Sequence, residues 1–299
     1  MLLVVREGMY ETILVPVDGS RAADGAVASA IALARAADAT VHALSVVEPD
    51  ELVTLEEAQR DEVHHLSDGR SREATARVME LADDAGVDVV RHVREGTPYR
   101  EIAAYADEAD ADLIVMGTRG ATGGTRLGST AERVITLSDV PTMTVRPTDG
   151  APTDPDRVSI ERLVVPTDGS DAAERAAGVA LDLAEFLGAA VAVVYVVDRT
   201  IYDLEDAPRS IVGLLREGGR NALEAVESEA RERGLSVTTE LSTGVPEAEI
   251  LAYADRVDAD LLAMGTRGRG ETDDRLLGST TARVVRRSDR PVLTVNSKR

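Results

Sequence analysis

A chain of 299 residues suggests two domains of ordinary size. Its net charge of −21 argues against nonspecific nucleic-acid binding, which needs a basic surface to displace counterions, and against binding to an anionic membrane surface. There is no cysteine, so disulfides and thiolate metal sites are excluded.

The chain opens on "MLLVV", which meets Arg6 at once and lacks the pattern of a signal peptide; Met9 is the expected functional start. Residues 12–17, "TILVPV", form a short apolar run stopped by Asp18-Gly19 and predict a buried parallel strand. A helix follows with Val27, Ile31 and Ala34 on one face. Residues 40–47, "TVHALSVV", predict the second strand. A long polar helix comes next and stops near Gly86. It carries His64-His65, which read as a solvated polar pair, because adjacent helical residues do not face the same way. Residues 87–93 predict the third strand, so His42 and His92 are strand residues. The next helix opens at "GTPYREI", with Pro98 where a first-turn proline is tolerated. "DLIVMG" is the fourth strand, "MGTRGATGGTRLGST" the loop after it, Ser129 a helix start, and residues 140–145 the fifth strand.

The second half repeats this order. Asp18-Gly19-Ser20 recurs as Asp168-Gly169-Ser170. "EIAAYADEADADLIVMGTRG" (residues 101–120) recurs as "EILAYADRVDADLLAMGTRG" (residues 249–268), and "VPTMTV" recurs as "RPVLTV". Such self-similarity marks a tandem duplication. The second unit's remaining strands are residues 190–197 and 235–241, with Gly234 as the helix stop and a helix start at Ser279. The longest apolar run, residues 189–197, ends at Asp198 and is too short to span a membrane. The expected domains are residues 9–147 and 158–297, joined by a Pro-, Asp- and Gly-rich linker at 148–157.

The alternation predicts an α/β protein with two tandem doubly wound parallel five-stranded sheets. Right-handed crossovers fit the strand order 3-2-1-4-5, with the switch point between strands 1 and 4. A ligand then belongs at their carboxyl ends, beside Asp18 and Gly117 in one unit and Asp168 and Gly265 in the other.

"ILVPVDGS", "LVVPTDGS", "MGTRG" and "GST" at these places resemble the universal stress protein family, over nearly the whole chain. The arrangement is similar to its tandem members, and implies an adenine nucleotide alpha hydrolase-like fold. One branch of that family binds ATP through Gly-x2-Gly-x9-Gly-Ser/Thr. The second unit fits, with Gly265, Gly268, nine residues and Gly278-Ser279. The first departs: only seven residues separate Gly120 from Gly128-Ser129.

The chemistry suits phosphate. A helix start offers unpaired amides and a positive dipole end. Gly265 and Gly268 allow close backbone approach. Ser279 and Thr280 offer hydroxyls, and Arg267, Arg269 and Arg275 offer charge-assisted bonds. Asp168 can accept from ribose hydroxyls or the adenine edge. The resemblance implies that Val191 and Met264 lie near the base, with Pro166 and Thr167 in the same site. Its first-unit counterparts are Pro16, Asp18, Val41, Met116, Gly117, Gly120, Gly128, Ser129 and Thr130.

Structural readings stand beside these. Ser129 and Glu132 form a capping-box pattern, the glycines can simply make turns, and Asp18 and Asp168 can stabilise helix starts. The arginines can be solvated surface charges. There is no Gly-x-Ser-x-Gly elbow, and no histidine is placed to activate Ser20 or Ser170. The only lysine is Lys298, so no Walker loop exists.

The resemblance implies a cytoplasmic, ATP-binding stress sensor or regulator, with ATP alone or with Mg2+ as cofactor and any ATP hydrolysis slow. A non-nucleotide interaction module and a slow ATPase or phosphotransferase are the alternatives. The fifth strands are expected to pair within the chain as a pseudo-twofold imitation of the family dimer; a homodimer is the further association considered. The acidic, lysine-poor composition resembles that of proteins from salt-loving archaea. Gly278→Val is expected to abolish most nucleotide binding and Gly128→Val to matter less; calorimetry on the full chain checks this, and equal losses refute the asymmetry.

Overall fold

The computed structural model describes residues 9–20, 23–48, 57–118, 127–147, 153–199, 209–268 and 277–296, side chains excepted at 57–68, 70 and 209–211. The chain divides into two compact units between Ser159 and Ile160.

In the first unit the strands are β1 (Thr12–Pro16), β2 (Thr40–Val47), β3 (Val89–Glu95), β4 (Leu113–Gly117) and β5 (Thr142–Val145). They alternate with α1 (Asp24–Ala37), α2 (Glu57–Ala85), α3 (Pro98–Glu108) and α4 (Ser129–Leu137). All strand pairs are parallel. β1 lies between β2 and β4, β3 flanks β2 and β5 flanks β4, which is the order 3-2-1-4-5. The second unit has β6 (Arg162–Pro166), α5 (Asp171–Leu187), β7 (Ala190–Asp198), α6 (Arg209–Glu232), β8 (Val237–Gly244), α7 (Pro246–Arg256), β9 (Leu261–Gly265), α8 (Ser279–Arg287) and β10 (Val292–Val295). Its pairing follows the same plan.

The central strands are apolar along their middles because helices cover both of their faces. Ile13, Leu14 and Val15 of β1 are fully buried, as are Leu163, Val164 and Val165 of β6. Val27, Ile31 and Ala34 of α1 pack inward, as do Ala177, Leu181 and Ala184 of α5.

A carboxylate sets the register between the two strands at the switch point. Asp112 Oδ2 accepts the amides of Glu11 (2.7 Å) and Thr12 (3.0 Å). Asp260 Oδ2 accepts those of Glu161 (2.8 Å) and Arg162 (2.9 Å). Each staple holds the first strand against the start of the fourth, so their carboxyl ends also come together.

The third strands begin two residues later than the apolar pattern predicts. Gly86 and Gly234 take left-handed backbone angles of +70° and +75°. After each, the next amide reaches back into the helix, Val87 to Ala82 O (2.8 Å) and Leu235 to Ala230 O (2.9 Å). This helix-closing motif holds those residues out of the strand. Part of the predicted linker is ordered: Pro155–Arg157 form a short 3-10 turn, and Asp156 pairs with Arg35 of α1. No described helix is long and apolar enough to cross a membrane.

Both described histidine side chains lie in the first unit, on adjacent strands. His42 Nδ1 is 2.8 Å from Tyr105 Oη, and the His92 ring lies 4.6 Å from the Tyr105 ring. Arg94 sits 4.7 Å over the same ring and pairs with Glu108 and Glu101. Burial, then the neighbouring His92, pushes the His42 pKa below its ordinary value; burial, then Arg94, does the same for His92. The fold therefore disfavours the charged form of both rings. The unfolded chain takes up protons at about pH 6.5, and the folded unit only below that. Stability of the first unit is expected to be complete above about pH 6.5 and to fall as the pH drops through the folded values. Melting curves of the chain and of His42→Gln with His92→Gln check this; the double variant should show a shallower acid slope.

Candidate functional site

In the second unit a cavity of about 380 Å³ opens at the carboxyl ends of β6, β7 and β9. Its floor begins at Pro166, the last residue of β6, followed by Thr167 and Asp168. Gly169 turns the chain with φ +69°, and Thr167 Oγ1 accepts its amide (3.1 Å). Asp168 Oδ1 accepts both the amide (3.0 Å) and the hydroxyl (2.6 Å) of Ser170. Ser170 Oγ in turn accepts from Ala173 N (3.3 Å) and caps α5. The Asp-Gly-Ser turn thus orients one carboxylate at the cavity while starting a helix.

The segment after β9 closes over that carboxylate. Met264, Gly265, Arg267 and Gly268 line the cavity. A Cβ at Gly268 would stand 2.7 Å from Asp168 Oδ2, so glycine here lets the backbone pass without displacing that carboxylate. Gly265 answers a different demand: a Cβ there would meet the carbonyl oxygen of Ala172 in α5 at 2.9 Å. Its bareness serves helix–strand packing at the cavity wall. Arg267 lines the cavity, and its Nη2 donates to Asn296 Oδ1 just past β10 (3.2 Å).

The far wall is the start of α8, where Gly278, Ser279 and Thr280 line the cavity. Gly278 N donates to Thr266 O (2.8 Å), so strand end and helix start are tied together. Thr281 Oγ1 donates to Gly265 O (2.8 Å). Gly278 is the N-cap, and no side-chain cap covers the first amides of α8 among the described residues. Such an end favours an anion.

The first unit repeats the tie, Gly128 N to Thr118 O at 2.8 Å. Pro16 ends β1, Met116 and Gly117 end β4, and Ser129 and Thr130 open α4. Asp18 Oδ1 accepts Ser20 N (3.0 Å), but α1 starts only at Asp24, and Ser20 Oγ is buried with no partner among the described residues. The capping-box reading of Ser129 fails. Glu132 N donates to Gly128 O (3.0 Å), so Gly128 is the N-cap and Ser129 already lies inside the helix. Gly120, Arg269 and Arg275 lie outside the described residues.

Two expected residues are misplaced. Val191 is the second residue of β7 and pairs with Leu163; Val41 pairs with Ile13. At about 3.3 Å per residue, both sit well short of the carboxyl ends. The cavity is lined instead by Val194–Asp198, with Leu215 of α6 and Pro246 and Ile250 of α7. The signal was strand length: β6 ends at Pro166 opposite Val194, and β7 runs on to Asp198. Among the described residues no group of three or more histidines or carboxylates is gathered to hold a metal.

The pattern of the universal stress protein family matches residues 9–146 and again 159–296. The chain belongs to that family. Universal stress protein MJ0531 of Methanocaldococcus jannaschii is 39% identical over 138 residues, covering 45% of this chain and 81% of that protein. Universal stress protein MJ0577 of the same organism is 27% identical over 158 residues, 47% of this chain and 98% of that one. Each relative is thus similar to about half of this tandem universal stress protein. A universal stress protein from Archaeoglobus fulgidus shares the fold across the chain, with a TM-score of 0.72 at 23% identity over 97% of this chain and 98% of that one. In this universal stress protein, Gly265→Ala is expected to destabilise the second unit by about 1–3 kcal/mol through overpacking against α5; a thermal melt as high as the parent's would show that the contact yields.

Proposed function

We propose that this tandem universal stress protein binds ATP in the cavity of its second unit and acts as a nucleotide-responsive regulator. The observation that carries this reading is the meeting of Asp168, Gly268 and the α8 start around one cavity. The helix start and Arg267 suit phosphate oxygens, and the Asp168 carboxylate suits ribose hydroxyls or the adenine edge. Met264 supplies an apolar wall for the base. If Mg2+ accompanies the nucleotide, Asp168 and Asp198 are the carboxylate oxygens at hand.

Slow hydrolysis at most follows from the same arrangement. All four histidines fall in the first half of the sequence, and Asp168 is engaged by Ser170. The cytoplasm, where ATP is abundant, is the compartment that this reading requires. The first unit is the weaker candidate: α1 lacks the serine cap that α5 has, and Ala131 stands where Thr281 bonds the strand end.

Calorimetry of the full chain with ATP in about 1 M KCl, where the Debye length is about 3 Å, separates site binding from diffuse charge effects. One site is expected, weakened tenfold or more by Asp168→Ala, since a hydrogen bond to a charged group contributes about 1.5–3 kcal/mol. Absence of binding by the parent chain overturns the reading.

A further inference from the structure

Tyr195 of β7 and Leu215 of α6 line the cavity from one side. Gly219 lies one helical turn beyond Leu215, on the same face of α6. A Cβ on Gly219 would stand 2.7 Å from Tyr195 Cδ1 and 2.7 Å from Leu241 Cδ1, closer than such atoms can approach. The tyrosine ring therefore occupies the space that any side chain at 219 would need, directly beside the cavity.

The first unit fills the same place differently. Pro16 pairs with Leu44 and Pro166 with Val194, so the next residues, Ser45 and Tyr195, correspond. Counting back from the helix-stopping Gly86 and Gly234, Ser71 corresponds to Gly219. Ser45 Oγ donates to Ser71 Oγ (3.1 Å), and both residues are buried. Each unit thus carries a matched pair, Ser with Ser or Tyr with Gly. A tyrosine facing Ser71 would collide with it, and a serine facing Gly219 would leave a void.

We propose that Tyr195 is a specificity-determining residue of the second cavity: its ring gives the cavity a preference for the flat aromatic base of a nucleotide over bare polyphosphate, and the Ser45–Ser71 pair withholds that preference from the first unit. This rests on the nucleotide reading of the cavity. An aromatic wall stacks on any base, because every base has a π-face. The effect belongs to the base alone, since the groups assigned to phosphate, Arg267 past β9 and the start of α8, lie on other elements than Tyr195.

The test titrates the full chain with ATP and, separately, with inorganic triphosphate. Tyr195→Phe should bind ATP as the parent does. Tyr195→Ser combined with Gly219→Ser installs the first unit's pair and refills the void, and its melting curve reports that the unit is folded. That variant should lose about 5- to 150-fold in ATP affinity, the range set by one base–aromatic stack, with triphosphate affinity unchanged. ATP binding equal to the parent's, or an equal loss for ATP and triphosphate, overturns the proposal and leaves the nucleotide site standing. A parent chain that binds neither probe removes both.

Discussion

The hydrogen bond between Thr266 O and Gly278 N, repeated as Thr118 O to Gly128 N, is the constraint on which both units depend. It ties the exit of the fourth strand to the entrance of the next helix. The first unit has two residues fewer between the tied positions, yet both ties measure 2.8 Å, so the helix starts keep one geometry. Gly278 O accepts the Ala282 amide at 2.8 Å, so the N-cap falls on a glycine, with no side-chain cap among the described residues.

On this shared scaffold the units have diverged in chemistry. The strand staples from Asp112 and Asp260 are the same. Between α3 and α4, Arg133 lies over the Tyr99 ring at 4.7 Å; between α7 and α8, Arg283 pairs with the buried Glu247 at 3.4 Å. His42, His92 and Arg94 surround Tyr105, whereas Arg256 covers Tyr253 and pairs with Glu240. Backbone ties, aspartate staples and apolar strands are common to both; these side-chain pairs are not. Main-chain geometry resists change because every buried amide needs a partner, while a side-chain pair can be exchanged for another of matched volume or charge.

Much of the site was legible because its signals are local. Asp168 follows an apolar run, Gly268 and Gly278 flank a loop, and Pro246 opens a helix; each reads from its neighbours. Val191 was misread because its place depends on where β7 stands against β6, which is a matter of register between distant segments. The packing role of Gly265 was hidden because a sequence does not show that α5 lies across it. The Ser129–Glu132 pattern resembled a cap because the residue pattern does not show that the helix begins one residue earlier, with Gly128 O accepting the Glu132 amide.

The sequence by itself determined the duplication, the alternation of strand and helix, and the candidate residues at the strand ends. Those follow from repetition, apolar periodicity and turn chemistry, all written in consecutive residues. Only the tertiary structure decided which strand positions reach the cavity, which glycine answers packing and which answers Asp168, and that Tyr195 stands against Gly219 at its wall. Those depend on how elements far apart in the chain pack, and packing distances of a few ångströms leave no local mark on the sequence.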